Sequence, residues 1–154
     1  MAIDKVKEYF KKYNMDNRIK EFDVSSATVD QAAKALNTEG KRIAKTMSFR
    51  LKDRIILIVL AGDAKISNSK YKAFFHEKAH MLGFDEVETI IGHPVGGVCP
   101  FAINDGIDVY LDESLKRFET VFPACGSTNS AIELKIKELE QYSNYISWID
   151  VSTI

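Results

Sequence analysis

The sequence predicts a mixed α+β fold in which a strongly curved β-sheet is surrounded by helices. Three observations support this: apolar residues recur at helical spacing near the N-terminus, one almost wholly apolar strand lies mid-chain, and short strand-like runs outnumber helices towards the C-terminus. A chain of 154 residues can bury one hydrophobic core but is short for two, so we expect a single domain spanning residues 1–154.

Two amphipathic helices are predicted in the first part of the chain. The first runs from about Ala2 to Tyr13. Its apolar residues share one helical face: Ile3, Val6, Phe10 and Tyr13. The second lies in "TVDQAAKAL", where Thr28 and Gln31 stand in the register of a capping box.

From Arg42 onwards the pattern changes to the two-residue period of a β-strand. One predicted face carries Ile43, Lys45, Met47, Phe49 and Leu51, and the other carries Ala44, Thr46, Ser48, Arg50 and Lys52. A turn at Asp53 and Arg54 is expected to lead into "IILIVLAG". That run is apolar enough to predict a strand at the centre of the sheet.

The second half of the chain is predicted to mix short helices and short strands. Helices are expected in "NSKYKAFFHEK", in "DEVETII" with Asp85 as its N-cap, and in "KELEQYS". Strands are expected in "VCPFAI", "DVYLD", "TVFPA", "AIELKI" and "YISWIDV".

Composition limits the classes of function and location. Apolar residues make up 45% and charged residues 28% of the chain, which is ordinary for a globular protein. The net charge of −1 provides no general attraction for nucleic acid, so contact with RNA would depend on a local patch such as the basic residues between Lys41 and Arg54. The charged N-terminus and the lack of a long apolar run predict a cytoplasmic protein that does not enter a membrane. The two cysteines, Cys99 and Cys125, are expected to be free thiols.

The stretch "GHPVGGVCPF", Gly92 to Phe101, contains three glycines and two prolines. Glycine allows a close approach to the main chain, and proline fixes φ and removes a donor. The sequence therefore predicts a constrained loop that offers main-chain amides and carbonyls to a ligand rather than side chains.

Lys45 stands on a strand face that is otherwise apolar. A lysine held partly out of water loses some preference for its charged form and can become a catalytic donor or base. Alternatively, its four-carbon stem can lie along apolar surface while the ammonium group reaches water. The pattern alone leaves both interpretations open.

A second motif, "HEKAHMLGFDE" from His76 to Glu86, matches H-E-x-x-H. On a helix, His76 and His80 would share a face and could bind zinc, with Glu77 as general base of a zinc metallohydrolase. Against this alternative, Glu86 stands where the extended motif has its third histidine, and no methionine follows Met81. The favoured interpretation is that both histidines are exposed surface residues.

Five stretches, in this order and spacing, resemble the YbaK and prolyl-tRNA-synthetase-associated family of aminoacyl-tRNA deacylases: "RIAKTMSFR", "LIVLAGDAKI", "GHPVGGVCPF", "VYLDESL" and "PACGSTNSAIEL". The resemblance spans nearly the whole chain and implies a barrel-like mixed sheet. It also implies trans-editing, the hydrolysis of the ester of a mischarged tRNA that carries a small amino acid. The implied partners are the 3′-terminal aminoacyl-adenosine of that tRNA and a prolyl-tRNA synthetase. A monomer without cofactor or metal is expected.

By this resemblance, Lys45 occupies the position of the family's essential lysine, and Gly96 to Pro100 form its G-x-x-x-P loop. Main-chain groups of Gly96, Gly97 and Val98 would hold the aminoacyl group and stabilise the oxyanion, with Gly97 in the catalytic role. Further pocket residues are expected: Thr46, His93, Cys99, Pro100 and Ser127. The nucleophile would be water or a group of the substrate, because no Ser, His and Asp arrangement is legible.

Three positions depart from the pattern of many relatives. Ala124 replaces a serine, Ala131 replaces a carboxylate, and Cys99 replaces a serine in the loop. Small pockets discriminate by a few contacts worth about 1–3 kcal/mol each, so these changes leave the accepted amino acid open. A non-catalytic module of the same fold that binds an aminoacyl or nucleotide end is the alternative, although Lys45 on an apolar face favours an enzyme.

Overall fold

The computed structural model describes all 154 residues. Its helices are α1 (Ala2–Lys11), α2 (Val29–Leu36), α3 (Asn68–Phe75), α4 (Val87–Ile91) and α5 (Ile136–Tyr142). Its strands are β1 (Ile19–Glu21), β2 (Ile43–Arg50), β3 (Ile55–Ala61), β4 (Lys65–Ile66), β5 (Ile107–Asp112), β6 (Thr120–Pro123), β7 (Ser130–Ile132), β8 (Leu134–Lys135), β9 (Ser147–Ile149) and β10 (Ser152–Thr153). None of the helices has the length and apolar content needed to cross a membrane.

Six strands form the main sheet in the order β8-β6-β2-β3-β5-β9. β2 and β3 are an antiparallel hairpin in which Lys45 lies opposite Leu60. β6 pairs in parallel with β2, and β5 pairs in parallel with both β3 and β9. The sheet curls into a half-barrel with the five helices around it, which confirms the predicted mixed α+β fold.

β3 lies at the centre of the core because all its side chains are apolar. Its residues from Ile56 to Ala61 are completely buried, as the run "IILIVLAG" predicts. From α1, Val6 and Phe10 join the same core, and the Phe10 ring packs edge-on against Phe101 with 4.8 Å between ring centroids. Each fully buried side chain of this size contributes about 1.5–3 kcal/mol relative to an exposed one, so the hairpin is a firm base for neighbouring loops.

Both faces of β2 carry buried residues, including the face that does not contain Lys45. Ala44 and Ser48, which belong to that face, are 2% and 6% exposed. The two faces pack against different parts of the chain: Ala44 belongs to the main hydrophobic core, and Ile43 packs with Ala32 of α2.

Three helix ends differ from the predictions, one of them that of α3, which ends at Phe75 rather than Lys78. α1 ends at Lys11, two residues before the predicted end at Tyr13. α4 begins at Val87, and Asp85 does not cap it. The physical reason is a tight turn before α4, in which the Glu86 amide donates to the Gly83 carbonyl at 2.9 Å.

Only one of the two hydrogen bonds of the capping box predicted for α2 is present. Thr28 is the N-cap, and its hydroxyl accepts a hydrogen bond from the Gln31 amide at 3.1 Å. The Gln31 side chain does not return to the Thr28 amide but bonds the Ser25 hydroxyl at 2.8 Å. The cap thereby ties the start of α2 to the segment that precedes it.

The strand predicted in "VCPFAI" is wrong, because residues 98–103 form a loop. Cys99 and Phe101 are fully buried in it, but no strand pairs with its main chain. The apolar pattern there reflects a loop packed on the core. The remaining predicted strands are present, with "AIELKI" divided into β7 and β8, and two short pairs that were not expected join β1 to β7 and β4 to β10.

Candidate functional site

A cavity of about 380 Å³ opens beside the first half of β2. Its walls come from four other segments: residues 26–32 at the start of α2, residues 81–87, residues 95–98 of the glycine-rich loop, and residues 122–131. Of the 22 residues that line it, 15 are hydrophobic, so the few polar groups in the wall stand out as candidates for chemistry.

Lys45 is half-buried in this wall. Its ammonium group donates to the main-chain carbonyls of Gly62, at 3.4 Å, and of Ala64. An ammonium group has three donors, so two hold it in place and one is left for a ligand. The geometry favours the first of the two interpretations, because the ammonium group of Lys45 is anchored at the cavity and does not extend into solvent.

Burial lowers the pKa of Lys45 from its ordinary value of 10.5. The negative charge of Asp63 opposes this effect, and the positive charge of Lys65 adds to it. Asp63 is itself engaged by the Arg117 guanidinium through two hydrogen bonds of 2.6 and 3.1 Å, which lower the pKa of its carboxyl. Lys45 therefore has a carboxylate nearby but no ion pair of its own.

The glycine-rich loop closes the cavity from one side. Gly96 has φ of +89°, in the left-handed region that glycine adopts most readily. A Cβ atom at Gly96 would lie 2.7 Å from the Cβ atom of Ala27, so the loop is packed directly on the segment before α2. Gly96 and Val98 both line the cavity, and neither amide donates a hydrogen bond within the chain.

Gly97 has a different role from the one expected. Its amide donates to the Pro94 carbonyl at 2.9 Å, and its carbonyl accepts from the Gly126 amide at 3.0 Å. A Cβ atom here would lie 2.6 Å from the Ser127 main-chain nitrogen. Because its amide already donates to Pro94, Gly97 has no free donor for an oxyanion, whereas the amides of Gly96 and Val98 donate to no group in the chain.

Thr46 and Ser127 differ in their relation to the cavity. Thr46 lines it, and its hydroxyl oxygen is buried without a hydrogen-bond partner. Ser127 does not line it, because its hydroxyl turns to Asn129, at 3.0 Å, and to Ser130, at 2.6 Å. Ser130 occupies the cavity wall instead, and sequence reasoning missed it.

Three other expected pocket residues lie away from the cavity. His93 is fully buried and bonds the Phe101 carbonyl at 2.7 Å, while the Cys99 sulfur lies 3.5 Å from the same ring nitrogen. Burial lowers the pKa of His93 and raises the pKa of Cys99 to about 12. Pro100 lines a smaller cavity near Tyr9. The local pattern placed these residues in the loop, but the loop turns them inwards as its own support.

The H-E-x-x-H interpretation fails on geometry. α3 ends at Phe75, and His76 follows in the left-handed conformation with φ of 62°. His80 lies outside any helix, and its carbonyl accepts from the Arg50 amide at 2.8 Å. The Glu77 carboxylate accepts from the Lys52 amide at 3.0 Å. The two histidines therefore share no helical face, and the chain contains no cluster of three metal-binding side chains.

The two alanine positions that depart from the family pattern both lie in the cavity wall. Ala124 and Ala131 face each other in an isolated antiparallel bridge and make that wall small and apolar. Met81, Phe84 and Val95 also border the cavity. No motif marks these three residues, because only the tertiary packing of the loops brings them to the opening.

Comparison with known proteins identifies the relatives of this chain. Residues 23–142 match the aminoacyl-tRNA editing domain. The chain is 53% identical over 152 residues to the uncharacterized protein YwhH of Bacillus subtilis, a match that covers 98% of this chain and 97% of that protein. It is 25% identical over 107 residues to the proline–tRNA ligase of Caldicellulosiruptor saccharolyticus, which covers 69% of this chain and 18% of the ligase.

Solved structures share the fold. A candidate trans-editing enzyme for prolyl tRNA synthetase superimposes with a TM-score of 0.88 at 22% identity, covering 99% of this chain and 98% of that one. Hypothetical protein APE2540 superimposes with a TM-score of 0.85 at 26% identity, covering 97% and 99%. With the family match over most of its length, the chain belongs to the aminoacyl-tRNA editing domain family.

Proposed function

We propose that the protein hydrolyses the ester bond of a mischarged tRNA that carries a small amino acid, in the manner of prolyl-tRNA editing. The observation that carries the proposal is Lys45, which is anchored in the wall of an apolar cavity that two loop residues with unused amides, Gly96 and Val98, also line. A half-buried cation next to free main-chain donors suits a reaction in which negative charge develops on a carbonyl oxygen. The protein would act in the cytoplasm, where charged tRNA is used.

In the proposed reaction, water attacks the carbonyl carbon of the aminoacyl ester. The oxyanion that forms accepts hydrogen bonds from the amides of Gly96 and Val98. The bond between the carbonyl carbon and the ribose oxygen then breaks, and the ribose oxygen takes the proton that the attacking water has released. The products are the free amino acid and a tRNA with a free terminal hydroxyl. Lys45 contributes its remaining donor to the ester, the ribose or the terminal phosphate.

Neither thiol is suited to act as the nucleophile. Cys99 and Cys125 are completely buried and do not line the cavity. Burial raises the pKa of Cys99 to about 12 and raises that of Cys125 well above its ordinary value, so both remain protonated near neutral pH. This supports attack by water or by a group of the substrate.

The small apolar wall formed by Ala124 and Ala131 supports a small amino acid as the ester-linked group. Neither position offers a charged or hydroxyl group that would select a polar side chain. Alanine is therefore the amino acid that we place first among the candidates, ahead of cysteine and serine.

The second candidate function is a binding module that holds an aminoacyl or nucleotide end without catalysis. The predominantly apolar lining favours it to the extent that such pockets serve binding as well as chemistry. It gives no reason, however, for a lysine to be fixed by two carbonyls with one donor left over.

A panel of mischarged tRNAs separates the two candidates. Alanyl, cysteinyl and seryl esters of tRNA for proline, with correctly charged prolyl-tRNA as the control, are incubated with the protein, and release of the amino acid is followed. We expect release of at least one small amino acid and protection of the prolyl ester. Binding of these tRNAs without release of any amino acid would support the binding module.

A further inference from the structure

The opening of the cavity is bordered by apolar side chains that the rest of the chain does not cover. Of nine large hydrophobic side chains that are exposed, three lie at this cavity: Met81, Phe84 and Val95, which are 59%, 81% and 38% exposed. Phe84 is the most exposed of the three, and its ring packs against no other aromatic ring in the chain. Exposed apolar groups gathered at one opening indicate a binding surface rather than chance.

Phe84 is exposed, yet the turn that carries it is firmly held. The Glu86 amide donates to the Gly83 carbonyl at 2.9 Å, and the Gly83 amide donates to the Glu86 carboxylate at 3.0 Å. The same carboxylate pairs with Arg50 of β2 at 2.6 Å. The ring therefore lies on a turn that is fixed at both ends. A fixed turn lowers the entropic cost of binding a ligand, because little of the chain has to be ordered.

The loop before this turn is fixed to the same strand. Met81 forms an isolated bridge with Phe49, and the Leu82 amide donates to the Ser48 carbonyl at 3.2 Å. β2 thus carries Lys45 in the cavity wall and supports the Phe84 turn at the opening. A single rigid strand sets the spacing between the charged group and the ring.

We propose that the Phe84 ring stacks on the adenine base of the 3′-terminal adenosine of the substrate, with Met81 and Val95 at the edge of the base. This inference rests on the proposed function. An aminoacyl ester held by Lys45 and the loop amides would leave the base, one ribose away, at the opening. Bases stack on exposed aromatic side chains in proteins that bind single-stranded ends.

The same surface is less suited to a protein partner or to a second copy of the chain. A stable protein interface uses about 20–30 residues on each side, whereas only three exposed apolar side chains gather here, around a concave opening. The cation of Lys45 in the cavity wall complements the phosphate that joins the terminal nucleotide to the rest of a tRNA. A nucleotide has a flat base that suits the small apolar surface and a charged phosphate that suits the cation.

The test uses a tRNA that ends in 2-aminopurine riboside and carries alanine through a stable amide in place of the ester. Stacking quenches the fluorescence of 2-aminopurine, and the amide prevents turnover. We expect quenching by the wild-type protein, loss of quenching with Phe84→Ala, and recovery with Phe84→Tyr. In parallel, Phe84→Ala should lower kcat/KM for the ester substrate by about 5- to 150-fold, the range for one lost base stack. Ile146→Ala, at another exposed apolar residue outside the cavity, is the matched control and should change neither readout.

Three results would overturn the inference, and they differ in what they leave standing. Equal quenching by wild type and Phe84→Ala, with ester hydrolysis intact, removes the stacking role and leaves the proposed function. Failure of the wild type both to bind the amide probe and to hydrolyse the ester removes the two together. A change in self-association of Phe84→Ala in sedimentation, without a change in quenching, assigns the surface to a second copy of the chain.

Discussion

The Gly97 carbonyl accepts a hydrogen bond from the Gly126 amide at 3.0 Å and thereby joins two loops that are distant in sequence. One loop presents Gly96 and Val98 to the cavity, and the other leads from Ala124 towards Ser130, both also in the cavity wall. The site is therefore assembled by main-chain contacts between loops. These contacts need glycine, because a side chain would keep the two main chains apart.

Gly97→Ala is expected to disturb this junction, because the added methyl group would lie 2.6–2.8 Å from the main chain of Ser127. We expect a loss of about 1–3 kcal/mol in the free energy of unfolding, measured by urea denaturation, together with a fall in deacylation. Gly40→Ala is the matched control, since its methyl group would meet only a Val29 side-chain atom at 3.3 Å. A Gly97→Ala variant as stable and as active as the wild type would contradict the packing described.

Thr46 offers a prediction in which stability and activity separate. Its hydroxyl has no partner in the chain, so Thr46→Val should leave the free energy of unfolding unchanged or slightly raised. If the hydroxyl bonds the substrate, the same variant should lose about 2- to 10-fold in kcat/KM, the effect of one neutral hydrogen bond. Thr46→Ser should keep most of the activity. Destabilisation without a change in kcat/KM would show that the hydroxyl serves the fold.

The lowered pKa of Lys45 predicts a pH dependence with a definite sign. Between its lowered folded-state pKa and the ordinary value of 10.5, the unfolded chain binds more protons than the folded one, so this group makes stability rise with pH in that window. Lys45→Met should lack the increment in thermal denaturation. Activity should move in the opposite direction, because in the proposed reaction the ammonium form of Lys45 donates a hydrogen bond to the substrate. Activity should therefore fall as pH rises through the lowered pKa. If the difference in stability between wild type and Lys45→Met did not change with pH, the burial of the ammonium group would be contradicted.

Because α3 ends before His76, we predict that the activity does not depend on zinc. His80→Ala and His76→Asn should each change the free energy of unfolding by no more than about 0.5 kcal/mol, and asparagine is chosen at position 76 because it tolerates the left-handed conformation seen there. A metal chelator should leave deacylation unchanged. Chelator-sensitive hydrolysis that is also lost in a variant lacking both histidines would revive the metallohydrolase alternative.

The elements that sequence predicted well are those whose pattern is set by local physics. The run from Ile55 to Ala61 is apolar throughout and lies in the core, and the register of Thr28 with Gln31 marks the start of α2. The strand prediction for "VCPFAI" was wrong because the loop packs on the core and buries Cys99 and Phe101. Alternate burial of this kind resembles the pattern of a strand, but no neighbouring strand pairs with this segment.

The site was predicted in part for the same reason. The sequence pattern is enough to predict that Lys45 and the glycine-rich loop line the cavity, because a charge on an apolar strand face and a cluster of glycines can be read from the sequence. Whether an amide is free is not visible in this way. The turn that connects Pro94 to Gly97 removes one donor, and only the folded loop reveals it.

Single-turnover hydrolysis of alanyl-tRNA for proline by wild type and Lys45→Met tests the central claim most directly. Methionine preserves most of the apolar stem and removes the ammonium group, so the variant should fold, with a loss in the free energy of unfolding of no more than about 1–3 kcal/mol from the two carbonyls left without a donor. We predict that the wild type releases alanine and that the variant, shown to be folded by its melting curve, is slower by at least about 100-fold, as expected when a group that stabilises the transition state is removed. Equal rates for the two folded proteins would contradict the account.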